Sequence, residues 1–402
     1  MSMKIHGIGT ALPSHSVTQE ISAEIANEIC CETDQQRRLL STLYRRTGVK
    51  SRHSVLLQPE AGQDDSVMTA TPSSLERGSS QQSETSPLTE STASSATTVL
   101  QQANQTFYWP ANDVHDRGPT TAQRLEAYRD HGEGLAIVAS TKAFDQCDVR
   151  PDEITHLITI SCTGFHAPGV DIALIRELGL PASVARTNVG FMGCHGAMNG
   201  LRVAKAYADA DPQARVLVVA LELCSLHQQY GWDPQRIVSN SLFADGAAAV
   251  IASGTSERRS PESLTLSSSF SAIIPNSEEM MSWAIGDNGF EMYLSAEVPD
   301  IIRRSTRAPL EAWLNQSGLS LAEIQSWAIH PGGPRILDAC AESLSLDEAD
   351  LSASRSVLSR FGNMSSPTVL FVLRELLDQQ HKTPTLMLGF GPGLAMEAAL
   401  FE

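Results

Sequence analysis

The sequence predicts an α/β protein built from two similar lobes, and three observations carry that expectation. At 402 residues the chain exceeds what one ordinary core fills. Apolar runs that read as buried strands alternate with helical patterns, which implies a largely parallel sheet. The chain also matches itself: a slide of about 170 residues lays Gln146, Glu153 and Ile154 on Gln316, Glu323 and Ile324. With a shift of 169, Gly193-Cys194 falls on Gly362-Asn363, and Val216 to Val219 falls on Thr385 to Leu388. The lobes are expected to span 1–253 and 254–402.

Residues 3 to 9 read as a strand ending at glycines, and Thr18-Gln19-Glu20 opens a helix with Ile21, Ile25 and Ile29 on one face. From Arg37 to Arg52 the chain turns basic: Arg37, Arg38, Arg45, Arg46, Lys50 and Arg52 come without an intervening acid, a composition suited to phosphates or to a solvated helix face. Pro59 to about Thr106 is rich in Ser, Thr, Gln, Glu and Ala and has no Phe, Tyr or Trp. Such a segment buries too little apolar surface to offset its ordering entropy and reads as an inserted, disordered surface loop. Pro119-Thr120-Thr121 caps a helix running to about Phe144. Buried strands are expected at 154–161, 215–222 and 246–251, the first ending in the loop Cys162 to Gly169.

A formal charge of −17 argues against nucleic acid and anionic membranes as partners. Seven scattered cysteines fit reduced thiols better than a disulfide frame or a zinc site. The first residues lack a signal-peptide apolar core and no apolar run reaches membrane-spanning length, so a soluble, cytoplasmic protein is expected.

The candidate chemistry centres on Val189-Gly190-Phe191-Met192-Gly193-Cys194-His195-Gly196, which runs into a buried helical pattern tolerating Gly200. Glycines around Cys194 permit a sharp turn and close substrate approach, and a helix N-terminus favours a thiolate. The alternative is a buried structural cysteine. If the lobes pack about a pseudo-twofold axis, Cys194 and Asn363 occupy related positions, each at a helix start, facing one cleft. His330 ends the strand that corresponds to Leu157–Ile160 and opens onto the same cleft. A thiolate beside an imidazolium accepts acyl groups, and His and Asn donors stabilise an enolate, which supports decarboxylation and carbon–carbon bond formation. Singly, His330 reads equally as a structural histidine and Asn363 as a helix cap.

Six stretches carry a resemblance: Phe191-Met192-Gly193-Cys194, Glu222-Leu223-Cys224-Ser225-Leu226-His227, Leu242-Phe243-Ala244-Asp245-Gly246, Trp327-Ala328-Ile329-His330-Pro331-Gly332-Gly333, Gly362-Asn363-Met364-Ser365-Ser366 and Gly389-Phe390-Gly391-Pro392-Gly393. In this order they resemble the chalcone synthase-like type III polyketide synthases, of the thiolase fold, over nearly the whole chain outside the insertion. The resemblance implies two duplicated α/β lobes in a five-layer αβαβα arrangement and a homodimer. It implies that Cys194 takes an acyl group from a starter coenzyme A thioester, with no cofactor or metal. His330 and Asn363 then decarboxylate malonyl-CoA, and the enolate extends the acyl chain. Phe243 falls on the family's gatekeeper, and Cys162, Thr163, Cys224, His227, Trp283, Met292 and Ser365 fall where the cavity is lined. Arg46 and Lys50 are placed near the coenzyme A phosphates.

Two departures matter. Ala167 stands where plant members carry a methionine that reaches the partner's cavity, and Trp283 replaces a small residue. The stretch Trp283 to Phe290 looks like bacterial members, which favours alkylpyrone, alkylresorcinol or tetrahydroxynaphthalene chemistry. The nearest rival is a ketoacyl synthase III performing a single condensation in fatty-acid initiation. A degradative thiolase would need a cysteine in Gly389 to Gly393, which has none. A hydrolase using the same acyl-enzyme and a catalytically silent scaffold are the remaining readings.

Overall fold

The computed structural model describes residues 2–58, 105–255, 264–379 and 382–402. The segment read as an insertion lies outside the described residues up to 104. At its far end Gln105 is already buried, its carboxamide oxygen accepting the N–H groups of Phe107 and Tyr108 at 2.8 Å, so order resumes sooner than composition implies.

The first half contains β1 (Ser2–Ala11), β2 (Ser16–Thr18), α1 (Gln19–Cys30), α2 (Asp34–Arg46), β3 (Ser51–His53), α3 (Thr121–Phe144), β4 (His156–Ser161), α4 (Val170–Leu178), β5 (Ala185–Gly190), α5 (Gly196–Ala210), β6 (Arg215–Leu223), α6 (Pro234–Leu242) and β7 (Asp245–Thr255). The second contains β8 (Thr265–Ile273), β9 (Met281–Gly286), β10 (Gly289–Leu294), α7 (Val298–Ser305), α8 (Arg307–Gln316), β11 (Ser326–Ile329), α9 (Pro334–Leu344), α10 (Ser352–Phe361), α11 (Thr368–Asp378), β12 (Thr385–Gly391) and β13 (Ala395–Phe401). Hydroxyl caps start the helices where the sequence places them: Thr18 accepts from Ile21, and Thr33 and Thr120 form capping boxes with Gln36 and Gln123.

The main sheet runs β11-β12-β13-β8-β1-β7-β6-β4-β5. Read outward from the β8/β1 junction, β8-β13-β12-β11 mirrors β1-β7-β6-β4, and corresponding pairs share direction: β4 and β6 are parallel, as are β11 and β12. The duplication seen in the sequence is therefore a duplication of topology. The sheet is not largely parallel, however. β1 runs antiparallel to β7 and β8, β6 to β7, β12 to β13, and β13 to β8. Strands buried on both faces read as continuous apolar runs whichever way they point, so the pattern carries no direction.

Alternate residues feed different layers. Val216, Val218 and Ala220 join Met387, Phe401, the α5 residues Ala197 and Leu201, and the α11 residues Val369 and Leu370 in one central core. Leu217, Val219 and Leu221 face Leu135, Ala136 and Ala139 of α3. On the far side, Leu386, Leu388 and Leu400 meet Ile301 and Ile302 of α7, Leu310 of α8 and Leu337 of α9. Helices thus alternate with the two half-sheets in five layers, with α5 and α11 in the middle. Gly9 shows how close the outer layer sits: a Cβ there would fall 2.0 Å from the Ala139 carbonyl of α3.

Candidate active site

Cys194 sits in a short 3-10 turn, Gly193–His195, that leads into α5 at the centre of the molecule. Gly193 has φ 71°, and a Cβ there would strike the Pro392 ring at 2.3 Å, so this turn needs glycine on two counts. His330 follows the last residue of β11, and its N–H donates to the Leu388 carbonyl of β12 at 2.8 Å. Asn363 is not at a helix start as expected. It lies between α10 and α11, where its backbone bridges to Phe243: its N–H donates to Leu242 O at 2.8 Å and its carbonyl accepts from Ala244 at 2.9 Å. The Asn363 side-chain oxygen accepts the Ser365 N–H at 2.8 Å, which leaves the amide hydrogens to point elsewhere.

Cys194 lines two cavities. The smaller, about 30 Å³, is lined by Cys194, His330, Asn363, Phe243, Met292, Leu242 and Gly332 among others. The larger, about 110 Å³, is lined by Cys194, Phe243, Cys162, Thr163, Cys224, His227, Trp283, Met292 and Ser365 among others. Every cavity residue expected from sequence therefore lines the larger space, the three catalytic candidates line the smaller one, and Phe243 borders both. Met281 and Phe290, which also line the larger space, gave no signal in the sequence.

The electrostatics differ from the expected thiolate–imidazolium pair. Burial pushes the Cys194 thiol up to about 11, against hydrogen bonds from Ser365 and Asn363 that pull it down. Burial pushes His330 down to about 3, and the neighbouring His195 acts in the same direction. Burial thus favours the neutral form of both groups. Both ring nitrogens of His330 are buried without a described hydrogen-bond partner.

One wall of the larger cavity is a locked aromatic plate. His227 donates from Nε2 to Thr163 O at 2.6 Å and accepts the Phe290 N–H at Nδ1 at 3.0 Å, which fixes a neutral tautomer; burial holds its pKa down at about 3. Its ring stacks on Phe290 at 4.2 Å, and Trp283 donates from Nε1 to Cys162 O at 2.7 Å.

Glu222, absent from the sequence candidates, is fully buried in β6. It accepts from Cys162 N at 2.9 Å, Thr163 Oγ1 at 2.7 Å and, across the lobes, Ser366 Oγ at 2.6 Å. Burial raises its pKa against those hydrogen bonds. A lone acid inside the apolar run Arg215–Leu223 was the available signal.

The basic cluster divides. Arg52 is held by the protein itself: its Nη1 donates to the carbonyls of Asn240 and Phe243 at 2.5 and 3.0 Å, and the guanidinium lies over Tyr44. Arg37 lies 3.6 Å from Glu28. Arg46 and Lys50 are exposed and line neither cavity. Gln19 ties their neighbourhood to the end of α6, donating to Thr47 Oγ1 at 2.9 Å and to Ser241 O at 2.8 Å.

The family models for chalcone and stilbene synthases match this chain, the N-terminal domain over residues 110–256 and the C-terminal domain over 265–402. An alpha-pyrone synthesis polyketide synthase-like protein, Pks18 of Mycobacterium tuberculosis, is 37% identical over 297 residues, 72% of this chain and 76% of the relative. The 1,3,6,8-tetrahydroxynaphthalene synthase of Streptomyces peucetius is 29% identical over 403 residues, 99% of this chain and 92% of that one. Among solved structures, the type III polyketide synthase domain of Steely1 from Dictyostelium superimposes with a TM-score of 0.81 at 25% identity, covering 100% of this chain and 99% of that one. PKS-I from the brown alga Ectocarpus siliculosus gives 0.84 at 24% identity, covering 100% and 98%, a likeness of fold.

Proposed function

This chain belongs to the chalcone and stilbene synthases, the type III polyketide synthases, and we propose that Cys194, His330 and Asn363 carry its decarboxylative condensation. The observation that supports this assignment is that Cys194 lines two cavities, with His330 and Asn363 lining the smaller and Phe243 lining both. His330 takes the thiol proton as Cys194 attacks the carbonyl of an acyl-CoA starter. The coenzyme A sulfur leaves and recovers that proton from His330. Malonyl-CoA then enters the smaller space, where the His330 N–H and the Asn363 amide hold its thioester oxygen. Carbon dioxide departs, the resulting enolate carbon attacks the acyl-cysteine carbonyl, and the carbon–sulfur bond to Cys194 breaks. The larger cavity receives the lengthening chain for cyclisation to a pyrone, resorcinol or related ring. No cofactor takes part.

The family models and relatives are polyketide synthases, so the single-condensation alternative has no support. Arg46 and Lys50 would hold the coenzyme A phosphates, on the argument that Gln19 links the end of α2 to the residue before Leu242. A division at 253/254 would separate the two halves. A homodimer is proposed from β5, a sheet edge without a second described strand, near exposed Phe165 and Met192. No helix among the described residues is long and apolar enough to cross a membrane, and a cytoplasmic location is proposed on composition.

Incubation with malonyl-CoA and a panel of acyl-CoA starters tests the reaction: carbon dioxide and cyclised products are expected. Cys194→Ala should abolish acylation, whereas Asn363→Ala should keep acylation and lose extension. Equal loss of both steps in Asn363→Ala would overturn its assigned role.

A further inference from the structure

The backbone bridge between Phe243 and Asn363 forms where two helices stop. α6 ends at Leu242 and α10 at Phe361, so each of the bridged residues follows a helix C-terminus. The chain from Val49 to His53 is wedged against both ends. Val49 packs with Leu242 and Leu358, the Lys50 N–H donates to Ser359 O at 2.8 Å, and the His53 ring lies 6.4 Å from the Phe361 ring.

Arg52 closes this contact. The last backbone hydrogen bond along α6 runs from Phe243 N to Ser239 O at 3.2 Å, and the carbonyls beyond it need other donors. Arg52 Nη1 supplies two of them, to Asn240 O at 2.5 Å and to Phe243 O at 3.0 Å, where a cation also meets the negative end of the helix dipole. Its guanidinium lies 5.6 Å from the centroid of the buried Tyr44 ring. A Cβ on Gly362 would come 3.1 Å from Arg52 Cγ and 3.0 Å from Leu242 O, so the residue before Asn363 is pressed between Arg52 and the turn that carries Phe243. The charge of Arg52 is met by carbonyls and an aromatic face, without an ion pair among the described residues. Such a placement costs desolvation that a neutral side chain would avoid. Arg52 also lines the larger cavity, which puts this clamp at the wall of the site.

We propose that Arg52 is a positioning residue for the malonyl step: it clamps the Phe243 carbonyl so that the Phe243–Asn363 bridge, and with it the Asn363 amide, keeps its place on the smaller cavity. The inference rests on the roles proposed above for Cys194 and Asn363. Loading is the work of Cys194 and His330, so the clamp serves extension rather than acylation.

The test follows the two steps separately on the full chain, with the starter that the wild type loads fastest among acetyl- to decanoyl-CoA. Intact mass reports acylation of Cys194, and carbon dioxide release from malonyl-CoA with extended product reports the second step. Arg52→Met removes the donors and keeps the stem; it should leave acylation within about twofold and slow extension roughly tenfold, the worth of a hydrogen bond from a charged group. Because two carbonyls left unpaired can disturb folding, Arg52→Lys is the second variant. Its shorter ammonium keeps the charge but loses the planar contact with Tyr44, so extension should fall about threefold with acylation unchanged. Acylation and extension falling by the same factor would make Arg52 a structural residue only and overturn the proposal. So would wild-type extension in an Arg52→Met protein that melts like the wild type or, if that variant does not fold, in Arg52→Lys. A wild type that loads no starter on Cys194 would instead sink the catalytic assignment on which the clamp depends.

Discussion

Cys194 and His330 are pushed in opposite directions by the same cause, removal from water, which favours the neutral form of each. The groups that work against this at the sulfur are Ser365 and Asn363, whose hydrogen bonds favour the thiolate. Ser365→Ala should therefore raise the thiol pKa, and alkylation by iodoacetamide at pH 8 should slow roughly tenfold, the worth of one hydrogen bond to a charged group. An unchanged rate against pH would remove Ser365 from that role. Short motifs, Gly193-Cys194, His330-Pro331-Gly332-Gly333 and Gly362-Asn363, single out three residues that line one cavity. Their protonation states were not legible: the helix N-terminus before α5 suggested a thiolate, and the sequence does not show that desolvation outweighs it.

The turn Gly193–His195 and the end of β12 are shaped to each other. The His195 ring is buried and its Nδ1 donates to Asn199 Oδ1 at 2.7 Å. A Cβ on Gly391 would lie 2.3 Å from His195 Cδ2 and 2.6 Å from Nε2. Gly391→Ala is expected to cost about 1–3 kcal/mol through overpacking and to lower turnover by displacing the turn that carries Cys194. In a His195→Ala background the same change should cost less, and a double-mutant cycle by urea unfolding measures the coupling. The extent of β6 and the caps of α1 and α3 could be read from local pattern and hydroxyl placement, whereas β7 runs on to Thr255, past the apolar stretch 246–251 that marked it. Strand direction could not be read, since it depends on partners far along the chain.

The two halves of the molecule are stitched at Glu222, which takes hydrogen bonds from Thr163 and from Ser366 across the central layer. Glu222→Gln puts an NH2 group where the surrounding groups all donate, so melting should fall by several degrees, on the order of 1–3 kcal/mol, as read by differential scanning fluorimetry. The shift of about 170 residues made the duplication visible in advance. The carboxylate that joins the duplicates stayed hidden because a single acid in an apolar strand states no partner.

The order of strands has a consequence for how the chain is made. β1 leaves the ribosome long before its sheet partners, since its seat is in the middle of the sheet, between β7 and β8, with Ser2 registered against Thr255 and Met3 against Leu266. Ala11 must wait for Ala247, and Ser2 for Thr255, before a sheet partner exists. During that interval the strand has no sheet partner, and α3, whose Ala139 carbonyl meets Gly9, is the native surface that can cover it.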